Sequence, residues 1–520
     1  MIGRRIGAWR GGLAALVAVA MAPGGGLPGA GGARAEAAAG ATWRTAWGTA
    51  LAFAQPLKND QDFTCRFIAR TTLEGDAVKI RLSNAWGTGP LTIDAATVGI
   101  RSAGAFTGEA GITLMGSPGA NLTGPPLPVT FGGLRTVTIP AGGSVLSDAV
   151  PLVVDVQQDV AVSLHFPGPS PVVSGHALTL TTNYCTAWNG GGDHTTDVSG
   201  ARFFGGTDYF TFDALDVETT EPGTIVVLGD SITDGASMNE SIDCGNAIPS
   251  FTDQQHRWTD DLSQILDARP AGSRYGVVNE GIGGNQLTQG GDSGLIRLQR
   301  DVLSHEGVTD VAIALGINDL HNHGTNAGLV AGYQQALAII NPPPPATAPH
   351  IRVIGMTITQ GLGLVAALTG VRTGDRSQLL GLVSALTGKA AGLPAGCSAT
   401  LPVTPPVQPP PPPVQPPVGQ PGPVSAVAPW TPMMECDRDQ ANGWLRGVAP
   451  AVPLATGGVL CKALPSYTSA PRFDCLYDVA LVTGGPLDRM LLPQYNSGDF
   501  VHPNTLGYQA IAGSFPLGCL

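Results

Sequence analysis

Residues 222–235 read Pro-Gly-Thr-Ile-Val-Val-Leu-Gly-Asp-Ser-Ile-Thr-Asp-Gly. Thr224 to Leu228 is a continuous apolar run with no polar alternation. Such a run reads as a strand covered on both faces, as in a parallel sheet. It ends in the turn Gly229-Asp230-Ser231. The same grammar continues downstream. His256 to Arg269 carries Trp258, Leu262, Ile265 and Leu266 on one helical face. Tyr275 to Asn279, Asp310 to Leu315 and His350 to Met356 read as strands, and Leu329, Val330, Tyr333, Leu337 and Ile340 mark a helix between the last two. Strands alternating with helices predict an α/β domain with a largely parallel sheet, spanning residues 222–520.

A segment of different composition interrupts this domain. Pro405 to Pro423 is mostly Pro, Val and Gln, which favours polyproline II and continues neither sheet nor helix. Residues 361–432 therefore read as an insertion. Leu379, Leu380, Leu382, Val383 and Leu386 would form the apolar face of a helix in its first part. The insertion is expected to be either a spacer or a lid beside the site. Regular sequence resumes with helices at Glu435 to Leu445 and Thr505 to Ala512.

Upstream, residues 42–216 show short alternating strands such as Val78 to Leu82, Thr136 to Ile139 and Ala161 to Leu164. Gly, Pro, Asn and Asp punctuate them, as in an antiparallel β-sandwich of jelly-roll-like type. The first 35 residues read as a cleaved export signal. Arg4, Arg5 and Arg10 precede the apolar run Gly11 to Ala22, and Ala33-Arg34-Ala35 fits a cleavage site. The run is shorter than the about 20 residues a membrane span needs. Removing four arginines moves the formal net charge from −12 to −16. An acidic mature chain argues against nucleic acid or an anionic membrane surface as partner.

The eight cysteines include no Cys-x-x-Cys pair, which weakens zinc and thioredoxin-like readings. Behind an export signal they favour disulfides. Closeness in sequence suggests Cys461–Cys475. Cys397 and Cys436 flank the proline-rich run, Cys65 and Cys185 fall in the β region, and Cys244 is left with Cys519.

The chemistry gathers at three turns that each follow a strand: Gly229-Asp230-Ser231, the stretch Asn279 to Asn285, and Gly316-Ile317-Asn318-Asp319. In an open parallel sheet these turns share the carboxyl edge, where ligands bind. A serine there needs a base. Asp499-Phe500-Val501-His502-Pro503 supplies an imidazole and a carboxylate three residues before it, and an asparagine amide can donate to a developing oxyanion.

Together, Gly229 to Gly235, Gly284, Gly316 to Asp319 and Asp499 to Pro503 resemble the four motif blocks of the SGNH (GDSL-type) hydrolases, with Ile232 where the name-giving motif has leucine. The resemblance implies a flavodoxin-like three-layer αβα domain and esterase chemistry with neither metal nor cofactor. It implies a catalytic Ser231, Asp499 and His502, and an oxyanion hole from Ser231, Gly284 and Asn318. Residues 42–216 also resemble the β-rich N-terminal domain of one bacterial branch. The expected function is a secreted serine esterase acting on acetyl or short acyl esters, on small molecules or polysaccharide, through an acyl-enzyme. A lipase or lysophospholipase, and a carbohydrate-binding surface protein with a degenerate hydrolase domain, are the alternatives.

Other candidates have plainer readings. His321 and His323 lack a third metal ligand and read as a loop. Asp230 and Asp234 suggest hydrogen bonds to the serine turn rather than a glycosidase pair. Trp258 reads as core, and Trp43, Trp47, Trp86 and Trp188 as packing groups rather than sugar platforms.

Overall fold

The computed structural model describes residues 40–55, 61–102, 116–169, 172–177, 179–235, 242–243, 246–247, 252–345, 348–360, 430, 432–447, 473–484, 491–497 and 501–520. The export segment, nearly all of the insertion, Asp499, Cys244, Cys397 and Cys461 lie outside these residues.

The N-terminal region is β-rich. Its main strands are β1 (Thr42–Gly48), β2 (Phe63–Arg70), β3 (Val78–Ser83), β4 (Ala95–Ile100), β5 (Asp159–Phe166), β6 (Val173–His176), β7 (Asn183–Cys185) and β8 (Phe212–Thr219). Strand β8 lies between β1 and β3 in a four-stranded sheet; β2 lies between β7 and β5 in a six-stranded one. These pairings are antiparallel. Period-two alternation turns Val78, Ile80 and Leu82 of β3 inward, where they join Phe67, Val162 and Leu215 in one apolar core. A disulfide between Cys65 and Cys185 links β2 to β7, as their placement in the β region suggested.

The second region holds β9 (Gly223–Gly229), α1 (Ser231–Asp234), α2 (Trp258–Asp267), β10 (Tyr275–Gly281), α3 (Gly294–Arg297), β11 (Val308–Ala314), α4 (Ile317–His321), α5 (Asn326–Ile340), β12 (Arg352–Met356), α6 (Pro432–Leu445), β13 (Cys475–Tyr477), α7 (Val479–Gly484) and α8 (Thr505–Gly513). The sheet runs β10-β9-β11-β12-β13 with every pair parallel. The uninterrupted apolar run of β9 is explained by burial on both sides. Val226 and Leu228 pack with Leu329 and Tyr333 of α5, whereas Ile225 and Val227 pack with Trp258 of α2 and Ile511 of α8. Trp258 is core, 1% exposed.

Two expectations about cross-links are corrected. Cys475 pairs with Cys519, not with Cys461, and Cys519 therefore does not pair with Cys244. Cys475 opens the edge strand β13, and the chain after α8 returns to that edge, leaving the two Cα atoms 6.3 Å apart. Cys436 is disulfide-bonded, and its suggested partner Cys397 lies outside the described residues.

The two regions share an interior. Strand β1 runs along the free side of β10, where Thr49 and Asn279 form a parallel bridge. The Thr45 N–H donates to the Glu306 carbonyl at 3.0 Å, and the Thr224 hydroxyl donates to the Thr45 carbonyl at 3.1 Å. Arg81 of β3 donates to Asp213 at 3.0 Å and to Ser304 at 2.6 Å. Beneath it His305 and Glu280, both buried, lie 2.7 Å apart. Burial pushes the Glu280 carboxyl well up and the His305 imidazole well down, each toward its uncharged form.

Candidate active site

Ser231 is the first residue of α1, immediately beyond the carboxyl end of β9. Asp230 precedes it as the helix cap, with extended backbone, and its carboxylate accepts the Ile232 N–H at 3.0 Å. The turn is tight. A Cβ on Gly229 would stand 2.2 Å from the Thr233 hydroxyl, so only glycine fits there. His502 Nε2 lies 2.8 Å from Ser231 Oγ. His502 sits in the loop just before α8. The Ser497 N–H donates to its carbonyl at 3.1 Å, and Asn504 caps α8 through the Gly507 N–H. Asp499, the suggested acid, lies outside the described residues.

The other two turns are tied to the first. The Ile282 N–H donates to the Gly229 carbonyl at 3.2 Å, which draws the loop after β10 toward the serine. Within that loop Gly284 has a φ of +74°, a left-handed conformation that glycine adopts without strain. The Asn318 side-chain amide donates to the Asn285 carbonyl at 3.0 Å, leaving its second hydrogen for another acceptor. Asp319 accepts from the Leu287 N–H at 2.7 Å and the Thr288 N–H at 2.9 Å. Ser231, His502 and the loops bearing Gly284 and Asn318 are thus gathered at one end of the sheet.

The electrostatics centre on Asp230. Burial pushes its carboxyl up to about 7; the Ile232 N–H and the nearby His502 pull the other way.

Two positioning groups carry no motif in the sequence. Arg297, fully buried, donates to the Gly229 carbonyl at 2.8 Å, to Asn285 Oδ1 at 3.2 Å and to Asp301 at 3.2 Å. One guanidinium therefore braces the serine turn and the residue that holds Asn318. The available signal was a lone arginine inside Leu295-Ile296-Arg297-Leu298, with an aspartate four residues on. His176 of β6 reaches across from the β region, its Nε2 3.2 Å from Asp234 at the end of α1. Nothing around His176 in the sequence signals that contact. Of the aspartates flanking the serine, Asp230 does cap the turn, while Asp234 faces His176.

Residues 227–510 match the model of the GDSL-like lipase/acylhydrolase family. The chain belongs to this family. Its members' chemistry makes the protein a carboxylic ester hydrolase. The match runs from the end of β9 through most of α8, and the β-rich region precedes it. Among solved structures, the chain is similar to a G-D-S-L family protein from Desulfitobacterium hafniense DCB-2 at 14% identity, over 57% of this chain and 99% of that one, with a TM-score of 0.26. A family two carbohydrate esterase from Clostridium thermocellum, in complex with cellohexaose, is similar at 12% identity over 63% and 79%, with a TM-score of 0.23. A carbohydrate acetylesterase from Sinorhizobium meliloti is similar at 20% identity over 32% and 80%, with a TM-score of 0.22. No curated protein sequence matches the chain.

Proposed function

We propose that this hydrolase is an exported serine esterase that removes acetyl or short acyl groups from carbohydrate or small-molecule esters through an acyl-enzyme. The observation that carries the reading is the 2.8 Å contact between His502 Nε2 and Ser231 Oγ at the head of a strand-to-helix turn. In this reading the imidazole takes the hydroxyl proton as Oγ attacks the ester carbonyl. The oxyanion is met by the N–H groups of Ser231 and Gly284 and by the free hydrogen of the Asn318 amide. His502 then returns the proton to the departing alcohol, and water repeats the sequence on the acyl-enzyme. Asp499, three residues before His502, fixes the imidazole tautomer. A short acyl group is our assignment, and the insertion at 361–432 is a spacer or a lid over that group.

Export is supported by the basic, apolar start of the chain and by disulfides, which persist in oxidising compartments. No helix among the described residues is long and apolar enough to cross a membrane. We divide the chain into a signal at 1–35, an antiparallel β-sandwich at 42–216 and the hydrolase domain at 222–520. The deciding experiment compares p-nitrophenyl acetate with p-nitrophenyl palmitate for wild type and Ser231→Ala. Acetate turnover that vanishes in the variant supports the reading. Preference for palmitate would make the protein a lipase. Turnover retained by Ser231→Ala would remove the serine from the mechanism.

A further inference from the structure

A spacious cavity lies away from Ser231. A cleft of about 550 Å³ opens between the β region and the hydrolase region, and none of Ser231, Gly284, Asn318 or His502 lines it. Its volume lies within the about 300–1,000 Å³ of small-molecule sites. By contrast, the cavity beside Asp230 and Ile232 measures about 30 Å³.

Three observations mark the cleft as more than a gap between packed regions. The first is unspent hydrogen-bonding capacity. Arg70 Nε from the β region and Arg257 Nε from the hydrolase region, both on residues that line the cleft, are buried and make no hydrogen bond among the described residues. Arg257 Nε is 3.9 Å from Asp260, beyond hydrogen-bond reach. A buried donor without a partner is costly and calls for an explanation. The second is backbone strain. Six non-glycine residues of the described chain have positive φ, and three of them, Gln157, Asp253 and Gln255, line this cleft. Strain of this kind collects where a fold holds groups in place for a ligand. The third is that both regions contribute walls, so the site exists only in the intact chain.

The lining specifies the ligand class. Each guanidinium is accompanied by a carboxylate: Arg70 and Arg101 by Asp159 at 3.6 and 3.2 Å, and Arg257 by Asp260. Asp155 and Asp253 add further acceptors. Carboxylates outnumber guanidiniums, which repels an anion. So many polar groups would be stripped of water by an apolar acyl chain without recompense. A neutral molecule rich in hydroxyls satisfies both donors and acceptors. Its apolar faces are met by Ile68, Ile100, Val277 and Trp47, the last held by stacking on Phe212 at 4.8 Å.

We infer that this interdomain cleft is a second binding site, separate from Ser231, for a neutral oligosaccharide. The inference does not depend on catalysis at Ser231, so it is tested in the Ser231→Ala full-length chain as well as in wild type. Isothermal titration calorimetry with cellohexaose, xylohexaose and mannohexaose supplies the neutral probes, and trigalacturonate the acidic one. At least one neutral probe is expected to bind both proteins. Arg70→Gln is expected to weaken that binding by about tenfold, the loss of one charge-assisted hydrogen bond. Thr123→Trp, at an exposed position on the rim, is expected to weaken it at least as much by filling the mouth. Neither substitution should alter p-nitrophenyl acetate turnover. If Arg70→Gln fails to fold by circular dichroism, Thr123→Trp decides. Binding of no neutral probe, binding unaffected by the decisive variant, or binding of trigalacturonate alone would overturn the inference. Loss of turnover in Ser231→Ala with binding intact leaves it standing.

Discussion

Replacing Asp230 by asparagine isolates the electrostatic cost of the serine turn. The carboxyl is wholly buried, and burial raises it from 3.8 to about 7. Between these values the unfolded chain has lost its proton while the folded chain keeps it, so the group's contribution to stability falls as pH rises through that window. Above about pH 7 the loss is complete. Roughly three pKa units at 1.36 kcal/mol each set a ceiling of about 4 kcal/mol. Asparagine keeps an oxygen for the Ile232 N–H and does not ionise. The variant should therefore gain on wild type as pH rises from 4 to 8, by up to that amount, and the gap should stay flat above 8. Urea titrations of both proteins at pH 4, 6, 8 and 9 measure it, and other titrating groups cancel in the difference. A stability gap that is the same at pH 4 and pH 8 would refute the reasoning.

Arg297→Met removes one of the two arginines that hold the buried Asp301, Arg300 keeping its own contact at 2.6 Å, and should cost about 1–3 kcal/mol in urea unfolding. Because the serine turn and Asn285 lose their brace, kcat should fall too; an unchanged kcat would make the arginine purely structural. Asn318→Ala should lower kcat by about 10²–10³-fold with little change in KM. At His176, burial opposes charging but Asp234 outweighs it, so its pKa is raised. Its stabilisation is full below about pH 6.5 and is lost as pH rises through the higher folded value; His176→Gln should thus lower the melting temperature more at pH 5.5 than at pH 8.5. Cys519→Ser opens a loop of 44 residues and should cost about 4 kcal/mol in the chain-entropy model, read as a lower urea midpoint.

The sheet was legible where burial on both faces writes itself as an apolar run. Thr224 to Leu228 and Asp310 to Leu315 fall within or beside observed strands, and Trp258 and Leu262 face the core. Strand β13 was not legible. It has three residues, and its identity comes from pairing with Ile354 to Met356, not from its own pattern. The pairing of Cys475 was misread for the same reason: a neighbour in sequence was preferred to one that only the sheet edge brings near. At the site, Ser231 and His502 announced themselves through turn chemistry, and the structure sets them in contact. Arg297 and His176 act across loops and between regions, a relation that local sequence does not encode.

The contact of β1 with β10 has a bearing on how this protein can be handled. A parallel sheet ends in a row of unpaired N–H and C=O groups, and such a row is a template for pairing with another molecule. Here residues 42–49 lie along that row, while β8 occupies the other side of β1. The β region is therefore a guard rail for the hydrolase. A truncated chain beginning at Pro222 would bare the flank of β10 and the buried Glu280–His305 pair together. It should self-associate in proportion to its concentration, even with Ser231 and His502 untouched.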